Sequence, residues 1–309
     1  MSQVAALFPG QGSQHVGMGR ELADAFGSAA DVFERANDAL GFDLRRLAWE
    51  GPEEELRQTQ NAQPALMVHS CAVWSVVRDE LAPRLSYAAG HSLGEFSAYA
   101  AAGSLAFEEA VRLVRRRGEL MAESPPGRMA AVVGLEASEI ETICESVRNE
   151  GGIVVAANYN SPKQIVISGE PAAVERASNL AREAQARMVR QLAVSGAFHS
   201  PLMSDAEAGL REELEDLAFS DPQIPVISNV TAQPVTQASE ARELLVKQLT
   251  SPVRWTDSMI TLADLGVRQL VELGPGKVLT GLLKRIDSNL EGTSVAGPGD
   301  ANRLREALV

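Results

Sequence analysis

The pentapeptide Gly90-His91-Ser92-Leu93-Gly94 contains a serine with a glycine two residues away on each side. This spacing matches a nucleophile elbow, a sharp strand-to-helix turn that pushes the serine side chain out at the top of a sheet. A side chain at either glycine position would collide with the backbone of that turn. The pattern therefore predicts a covalent serine enzyme, and by itself it allows any esterase.

A serine hydroxyl needs a base within hydrogen-bond reach, usually a histidine, and the chain has four histidines. His91 is adjacent to Ser92, so the elbow directs its side chain elsewhere. His15 follows a glycine-rich loop, and His69 lies in an apolar helical segment that favours a core role. His199 lies in a turn just after a predicted small domain, and a turn between two domains faces their cleft. We expect His199 to be the base.

The acid of a serine triad is not evident in this chain. Hydrolases with this elbow carry that acid between the serine and the histidine in sequence, and no suitable strand-end aspartate lies between Ser92 and His199. A backbone carbonyl or an amide could hold the imidazole instead, and Asn229 and Gln248 are the polar candidates. The sequence therefore predicts a dyad.

Arg117 lies on the apolar side of a predicted helix over residues 107–121. At about 100° per residue its side chain falls among apolar positions, whereas the neighbouring arginines point away. A buried guanidinium is costly unless it meets a carboxylate. Two interpretations stay open: a structural arginine that pairs with a Glu or Asp of the protein or reaches water, and a fork for a substrate carboxylate.

A glycine-rich loop, Pro9-Gly10-Gln11-Gly12-Ser13, follows an apolar run that predicts a first strand at residues 4–8. Such a loop can direct a backbone N–H at a developing negative charge, and the N–H of Leu93 is the expected second donor of an oxyanion hole. A simple tight turn and a phosphate cradle are the alternatives. The chain lacks the lysine of a nucleotide P-loop at this point.

The remaining pattern predicts an α/β protein with a second, smaller unit. A core helix at residues 64–77, a strand at 85–89 and a helix at 93–102 surround the elbow. A β-α-β-β-α-β order typical of a ferredoxin-like unit follows. Its predicted elements are residues 129–133, 138–149, 153–157, 164–168, 172–186 and 187–194. Pro125-Pro126-Gly127 and Ser195-Gly196 are the expected hinges.

The pattern then predicts a return to the larger unit. The expected helices are residues 203–217, 241–249 and 255–265, and the expected strands are 225–228 and 269–273. Residues after Gly297 are expected to be loosely held.

Composition narrows the function classes. The net charge of −13 argues against a nucleic-acid partner. The apolar runs are too short to cross a membrane, and the N-terminus lacks the features of a signal peptide, so a cytoplasmic location is expected. Cys71 and Cys144 have no metal-type spacing and predict buried free thiols, and no metal site is expected.

The motifs together closely resemble the malonyl-CoA:acyl carrier protein transacylases, acyltransferases of bacterial fatty acid synthesis. The match is in order and spans the chain. The matching segments are Phe8-Pro9-Gly10-Gln11-Gly12-Ser13-Gln14, Gly90-His91-Ser92-Leu93-Gly94-Glu95, Arg117, Asn158-Tyr159-Asn160-Ser161-Pro162, Gly196-Ala197-Phe198-His199-Ser200, Gln248 before Pro252-Val253-Arg254-Trp255, and Glu272-Leu273-Gly274-Pro275-Gly276.

The resemblance implies a role for each matching residue. Ser92 takes the malonyl group from coenzyme A as an ester, and His199 acts as general base and then acid. Gln11 and Leu93 form the backbone oxyanion hole. The substrate-binding residues implied are Arg117 on the malonate carboxylate, Gln248 beside His199, Asn160, and Phe198, which in related transferases goes with malonyl rather than methylmalonyl.

The resemblance also implies the fold and the partners. The fold is an α/β-hydrolase-like large domain, residues 1–127 and 197–309, with an inserted ferredoxin-like small domain at residues 128–196. No cofactor is implied, because the coenzyme A thioester is a substrate; acyl carrier protein is the second substrate, and a monomer is expected. A polyketide pathway, a serine thioesterase and a silent carrier-binding subunit are the alternatives. Candidates for a basic docking patch are Arg187, Arg190, Lys284 and Arg285.

Overall fold

A computed structural model describes residues 3–194 and 196–308 of the 309-residue chain. The strands are β1 Gln3–Phe8, β2 Leu85–Gly90, β3 Arg128–Val133, β4 Val154–Ser161, β5 Gln164–Gly169, β6 Met188–Gln191, β7 Val226–Ile227, β8 Pro234–Val235, β9 Val267–Leu273 and β10 Glu291–Val295. The helices are α1 Arg20–Ala25, α2 Gly27–Leu40, α3 Leu44–Glu50, α4 Glu53–Arg57, α5 Thr59–Leu81, α6 Leu93–Ala101, α7 Phe107–Glu123, α8 Ala137–Asn149, α9 Pro171–Glu183, α10 Ser204–Glu215, α11 Ala238–Lys247, α12 Trp255–Asp264, α13 Val278–Ile286 and α14 Pro298–Leu308. None of the described helices is both long and apolar enough to cross a membrane.

The larger sheet has the strand order β10-β9-β1-β2-β7-β8. Its pairs are parallel except β7 with β8. Strand β1 lies near its centre and is apolar from Val4 to Phe8, because parallel strands are covered on both faces. Side chains alternate along it, so Ala6 and Phe8 enter one core cluster while Ala5 and Leu7 enter another.

The register of β1 and β2 brings the glycine-rich loop beside the elbow. Phe8 pairs with Gly90, and the His91 N–H donates to the Phe8 carbonyl at 3.0 Å. A Cβ at Gly90 would lie 1.9 Å from the carbonyl carbon of Gly94, and one at Gly94 would lie 2.0 Å from the Phe8 oxygen. The steric argument for both glycines of the elbow is therefore confirmed.

The smaller sheet is antiparallel with the order β4-β5-β3-β6. Along β3, Met129 and Ala131 face the main core, while Ala130 and Val132 face a separate core built with α8 and α9. The two chain connections to this unit lie side by side, since Pro126 and Gly196 form an antiparallel bridge. Ser195, named with Gly196 as a hinge, lies outside the described residues.

Two predicted boundaries in the smaller unit are wrong for a tertiary reason. Strand β4 ends at Ser161, four residues beyond its predicted end at residue 157, and its residues 157–159 also pair with the segment around Val253. The Tyr159 N–H donates to the Val253 carbonyl at 2.9 Å, and the Val253 N–H donates to the Ala157 carbonyl at 2.8 Å. Strand β6 ends at Gln191, three residues before the predicted end, and residues 192–194 line a cavity between the two sheets instead.

The expectation that residues after Gly297 are loosely held is wrong. They form α14, which buries Ala301 and Leu304 in the main core. Asp300 accepts hydrogen bonds from backbone N–H groups just before the helix, and Arg305 pairs with Glu80 of α5 at 2.6 Å. The short apolar stripe of this helix is weak in sequence and becomes decisive only when α5 covers it.

Candidate active site

Ser92 lies between the end of β2 and the start of α6. Its φ of 51° and ψ of −110° are strained for a residue with a side chain. Asn229 holds this turn, because its Oδ1 accepts from the Ser92 N–H at 2.7 Å and its Nδ2 donates to the Gly90 carbonyl at 2.6 Å. Asn229, one of two candidates for orienting the histidine, therefore supports the elbow.

His199 is in hydrogen-bond contact with the serine. Its Nε2 lies 2.8 Å from Ser92 Oγ, and its Nδ1 donates to the backbone carbonyl of Gln248 at 2.8 Å. The carbonyl requires the Nδ1–H tautomer, which leaves Nε2 free to accept the serine proton. Burial, followed by the charge of Arg117, lowers the pKa of His199 to about 3. The ring is neutral at physiological pH, as a general base must be.

Arg117 is completely buried beside the serine and the histidine. Its Nη1 donates to Gln63 Oε1 at 2.5 Å, and its Nη2 donates to Gln248 Oε1 at 2.9 Å and to Ser92 Oγ at 3.2 Å. The Phe96 ring lies 5.2 Å from the guanidinium carbon. Within residues 3–194 and 196–308, its hydrogen-bond partners are amide and hydroxyl oxygens, and no carboxylate approaches to ion-pair distance. The interpretation as a structural ion pair is therefore wrong.

Helix α7 explains why this arginine faces inward. Its apolar stripe includes Ala110, Val114, Leu120 and Met121, and the stripe packs against α5 and α10. Position 117 lies inside that stripe. The other three arginines of the helix are less buried and contact polar groups at its edges: Arg112 with Ala39, Arg115 with Glu119 and Asn61, and Arg116 with Glu213.

The serine opens into a cavity of about 450 Å³ between the two sheets. Gln11 and Leu93 line it from the glycine-rich loop and from the start of α6, where the first N–H groups have no partner within the helix. The remaining lining residues are Gly12, Gln14, Arg57, Gln63, His91, Ser92, Arg117, Met121, Met129, Asn158, Arg190, Leu192, Ala193, Val194, Phe198 and His199.

Two predicted substrate contacts have different positions. Phe198 lies in the cavity wall and is nearly buried. Asn160 is not among the lining residues; its Oδ1 lies 2.8 Å from His91 Nε2. Asn158, two residues earlier on β4, lines the cavity instead. The register of β4 shifts between Ala156 and Asn158 and again between Tyr159 and Ser161, and Asn160 lies within the second shift.

Two further residues around the serine were not predicted as site residues. Gln63 of α5 accepts a hydrogen bond from Arg117. In the sequence it stands just before the predicted apolar core helix, where nothing indicates a binding role. Glu95 of α6 is fully buried, and burial raises its pKa to about 7 against the opposing contacts of Gln248 and Asn229. Its immediate proximity to the elbow motif was the only signal available for it.

The four candidate docking cations do not form one patch. Arg190 lines the active-site cavity. Arg187 and Arg285 line a second cavity together with Lys163, and Lys284 is exposed on α13. Arg285 donates to Gln164 at 3.0 Å, which joins α13 to the smaller sheet.

A strained serine on a parallel sheet, a neutral histidine against it and a buried arginine beside both define a serine acyl transferase site. The chain belongs to the acyl transferase domain family, which its residues 6–298 match. The resemblance drawn from the motifs is confirmed.

The relatives are similar over nearly their whole lengths. The chain is 45% identical over 302 residues, 96% of its length and 95% of the relative, to the malonyl CoA-acyl carrier protein transacylase of Bacillus subtilis (strain 168). It is 43% identical over 301 residues, 96% of its length and 97% of the relative, to the protein of the same name from Escherichia coli (strain K12).

Solved structures of similar proteins superpose closely on this chain. A malonyl-transacylase in complex with its type II PKS acyl-carrier protein superposes with a TM-score of 0.96 at 43% identity, covering 99% of this chain and 100% of that one. An acyl carrier protein S-malonyltransferase from Vibrio cholerae gives a TM-score of 0.94 at 42% identity, covering 98% and 100%.

Proposed function

We propose that this acyl transferase moves a malonyl group from malonyl-CoA to the phosphopantetheine thiol of acyl carrier protein, through an ester on Ser92, for fatty acid biosynthesis. The single observation that carries the proposal is the Arg117 guanidinium, 3.2 Å from Ser92 Oγ and held by amide oxygens. A guanidinium that contacts no carboxylate in the described part of the chain, in a site that handles acyl groups, selects an acyl group that bears a carboxylate of its own.

In the first half-reaction, His199 Nε2 takes the proton of Ser92 Oγ while Oγ attacks the thioester carbonyl carbon. The backbone N–H groups of Gln11 and Leu93 stabilise the tetrahedral oxyanion. The carbon–sulfur bond then breaks, and the coenzyme A sulfur leaves with the proton from His199. The second half-reaction reverses these steps: His199 deprotonates the carrier thiol, the sulfur attacks the ester, and Ser92 Oγ regains its proton.

The Gln248 carbonyl takes the place of a triad carboxylate. It fixes the histidine tautomer through a 2.8 Å hydrogen bond but carries no full negative charge. The imidazolium that forms during the reaction lies near Arg117, so its proton is readily returned to the leaving sulfur. Such a base suits repeated transfer between two thiols, and this distinguishes the proposal from a serine thioesterase.

Arginine suits the role better than lysine, because its planar fork grips a carboxylate with two parallel hydrogen bonds. The apolar wall of the cavity, which includes Met121, Leu192 and Phe198, limits the size of the acyl group and keeps water from the ester. Phe198 is the residue we assign to discrimination against methylmalonyl.

We further propose that residues 128–196 form a ferredoxin-like small domain inserted in an α/β-hydrolase-like large domain, residues 1–127 and 197–309. The order β4-β5-β3-β6 and the paired connections at Pro126 and Gly196 support this division. A monomer without a cofactor and a cytoplasmic location stay predictions.

We propose that the carrier protein binds at three of the basic residues. Arg190 lines the active-site cavity, and Arg187 and Arg285 line the second cavity. Their positive charges complement an acidic carrier protein. A carrier protein of a polyketide pathway is a second candidate, because the structural relative with a TM-score of 0.96 is in complex with a type II PKS acyl-carrier protein.

The central test is covalent. Incubation with malonyl-CoA and intact mass measurement should show addition of one malonyl group, which peptide mapping assigns to Ser92. The group should then pass to a carrier protein with a phosphopantetheine arm, and the Ser92→Ala variant should acquire no group. An unmodified wild-type chain would overturn the proposal.

A further inference from the structure

Glu95 is a fully buried carboxylate on the first turn of α6, three residues after the serine. Its Oε2 accepts from Gln248 Nε2 at 2.6 Å and from the Asn229 N–H at 3.2 Å. Its Oε1 has no hydrogen-bond partner in the described parts of the chain. A buried carboxylate with so few partners is costly, so its presence beside the active site calls for a reason.

The side-chain amide of Gln248 lies between Glu95 and Arg117. Its Nε2 donates to Glu95 and to the Ser92 carbonyl at 3.1 Å, while its Oε1 accepts from Arg117 Nη2 at 2.9 Å. An ionised carboxylate only accepts hydrogen bonds, and a guanidinium only donates them. The amide therefore fits in one orientation, with its oxygen toward the arginine.

This arrangement leaves the arginine fork available. Neutral oxygens of Gln63 and Gln248 hold Arg117, and the negative charge of Glu95 lies one amide further away, where it still acts on the guanidinium through space. A carboxylate in direct contact would balance the charge equally well, but it would occupy the position that an acyl carboxylate needs.

We propose that Glu95 is a positioning residue for acyl-group selection: by fixing the orientation of the Gln248 amide, it holds Arg117 toward the carboxylate of the incoming acyl group. This inference rests on the proposed malonyl transfer. Glu95 contacts none of the reacting atoms, so its effect lies in the choice between charged and uncharged acyl donors.

The variant that tests this is Glu95→Gln, which keeps the size of the side chain but can present either an oxygen or an NH₂ group to Gln248. The measurement is single-turnover acylation of Ser92 at pH 8 by malonyl-CoA and by acetyl-CoA, followed by intact mass. We expect the second-order rate constant with malonyl-CoA to fall about tenfold or more, while that with acetyl-CoA changes less than about threefold. Equal losses with both donors would mean that Glu95 supports only the elbow, through Asn229, and would overturn the proposal.

Glu272 provides a matched control. It is also a fully buried glutamate, and its oxygens accept from the Leu279 and Thr280 N–H groups at the start of α13. Glu272→Gln should lower the melting temperature and leave the malonyl to acetyl ratio unchanged. A ratio that shifts as much as in Glu95→Gln would show a general effect of losing a buried charge, and would also overturn the proposal.

A double-mutant cycle with Gln248→Met separates action through Gln248 from an independent effect. If Glu95 acts through that amide, adding Glu95→Gln to Gln248→Met changes the donor ratio no further, whereas multiplied losses contradict the inference. Should Gln248→Met fail to fold, the comparison of Glu95→Gln with Glu272→Gln decides alone. A wild-type protein that acquires no malonyl group refutes the proposed function, while an active wild type whose donor ratio survives Glu95→Gln refutes this inference only.

Discussion

The two sides of helix α7 place arginines in opposite settings. Arg115, at the edge, donates to Glu119 at 2.7 Å and to Asn61 of α5 at 2.5 Å. Arg117, on the core side, also donates to an amide oxygen of α5, that of Gln63, but no carboxylate of residues 3–194 and 196–308 completes its contacts. An arginine whose charge is already paired one turn away serves the fold, whereas an arginine that is buried and given only neutral partners is available to a ligand.

Arg117→Ala is the most direct test of the difference between the two arginines. Removing one partner of a buried, hydrogen-bonded charge pair costs roughly 4 kcal/mol, which corresponds to a fall of about 10³-fold in kcat/KM with malonyl-CoA. Acylation of Ser92 by acetyl-CoA should be largely retained, because that donor has no carboxylate to lose. Equal loss with both donors would mean that the arginine maintains the site rather than binding the acyl group.

Arg117→Lys tests the geometry of the fork apart from its charge. A lysine ammonium is a point charge that cannot hold two amide oxygens and a bidentate carboxylate together. We expect kcat/KM with malonyl-CoA to fall by about 10²-fold, roughly 2.7 kcal/mol, less than for alanine. Steady-state kinetics on a variant with wild-type circular dichroism checks this, and full activity in the lysine variant would remove the case for bidentate binding.

The pH dependence of Ser92 acylation by acetyl-CoA tests His199 separately from Arg117, because this donor has no carboxylate. Burial lowers the pKa of His199 to about 3, so the neutral, proton-accepting form persists as the pH falls from 8 to 5. The rate of Ser92 acylation by acetyl-CoA should stay flat over that range. An ordinary histidine with a pKa of 6.5 would be mostly protonated at pH 5 and would slow the reaction roughly 30-fold, so such a fall would contradict this environment for His199.

Arg115→Ala should give the smallest change. Its pair with Glu119 is partly exposed, and such helix pairs contribute about 0.5 kcal/mol. The loss of its hydrogen bond to Asn61 adds about 1 kcal/mol, so denaturant unfolding should show a modest decrease in stability. Transfer kinetics should match the wild type; a change in malonyl selectivity would show that the two sides of α7 are not separate.

Most of the fold could be predicted from local patterns in the sequence. The apolar run of β1, the β-α-β-β-α-β order and the elbow glycines depend on steric and periodic constraints that act over a few residues. The inward direction of Arg117 has the same origin, since helical periodicity alone assigns its face. His199 could be chosen because the chain offered only four histidines.

The hydrogen-bond partners within the site could not be predicted in this way. Gln63 lies 54 residues from Arg117 in sequence, and Gln248 lies 153 residues from Glu95. Asn160 was predicted from its place in a motif; its Oδ1 contacts His91, and Asn158 of the same irregular strand lines the cavity. Helix α14 was missed because its short apolar stripe acquires meaning only against α5.

The sequence by itself determined which side chains could react: a serine on an elbow, a histidine in a turn after the β-α-β-β-α-β segment, and an arginine on an apolar face. These follow from local sterics and periodicity, which the chain carries wherever it folds. Only the tertiary structure decided that Arg117 meets amides and, among the residues that the structure describes, no carboxylate. It also decided that Gln248 binds His199 with its backbone and Arg117 with its side chain. Such contacts depend on where separate elements meet when the core closes, and no local pattern records that.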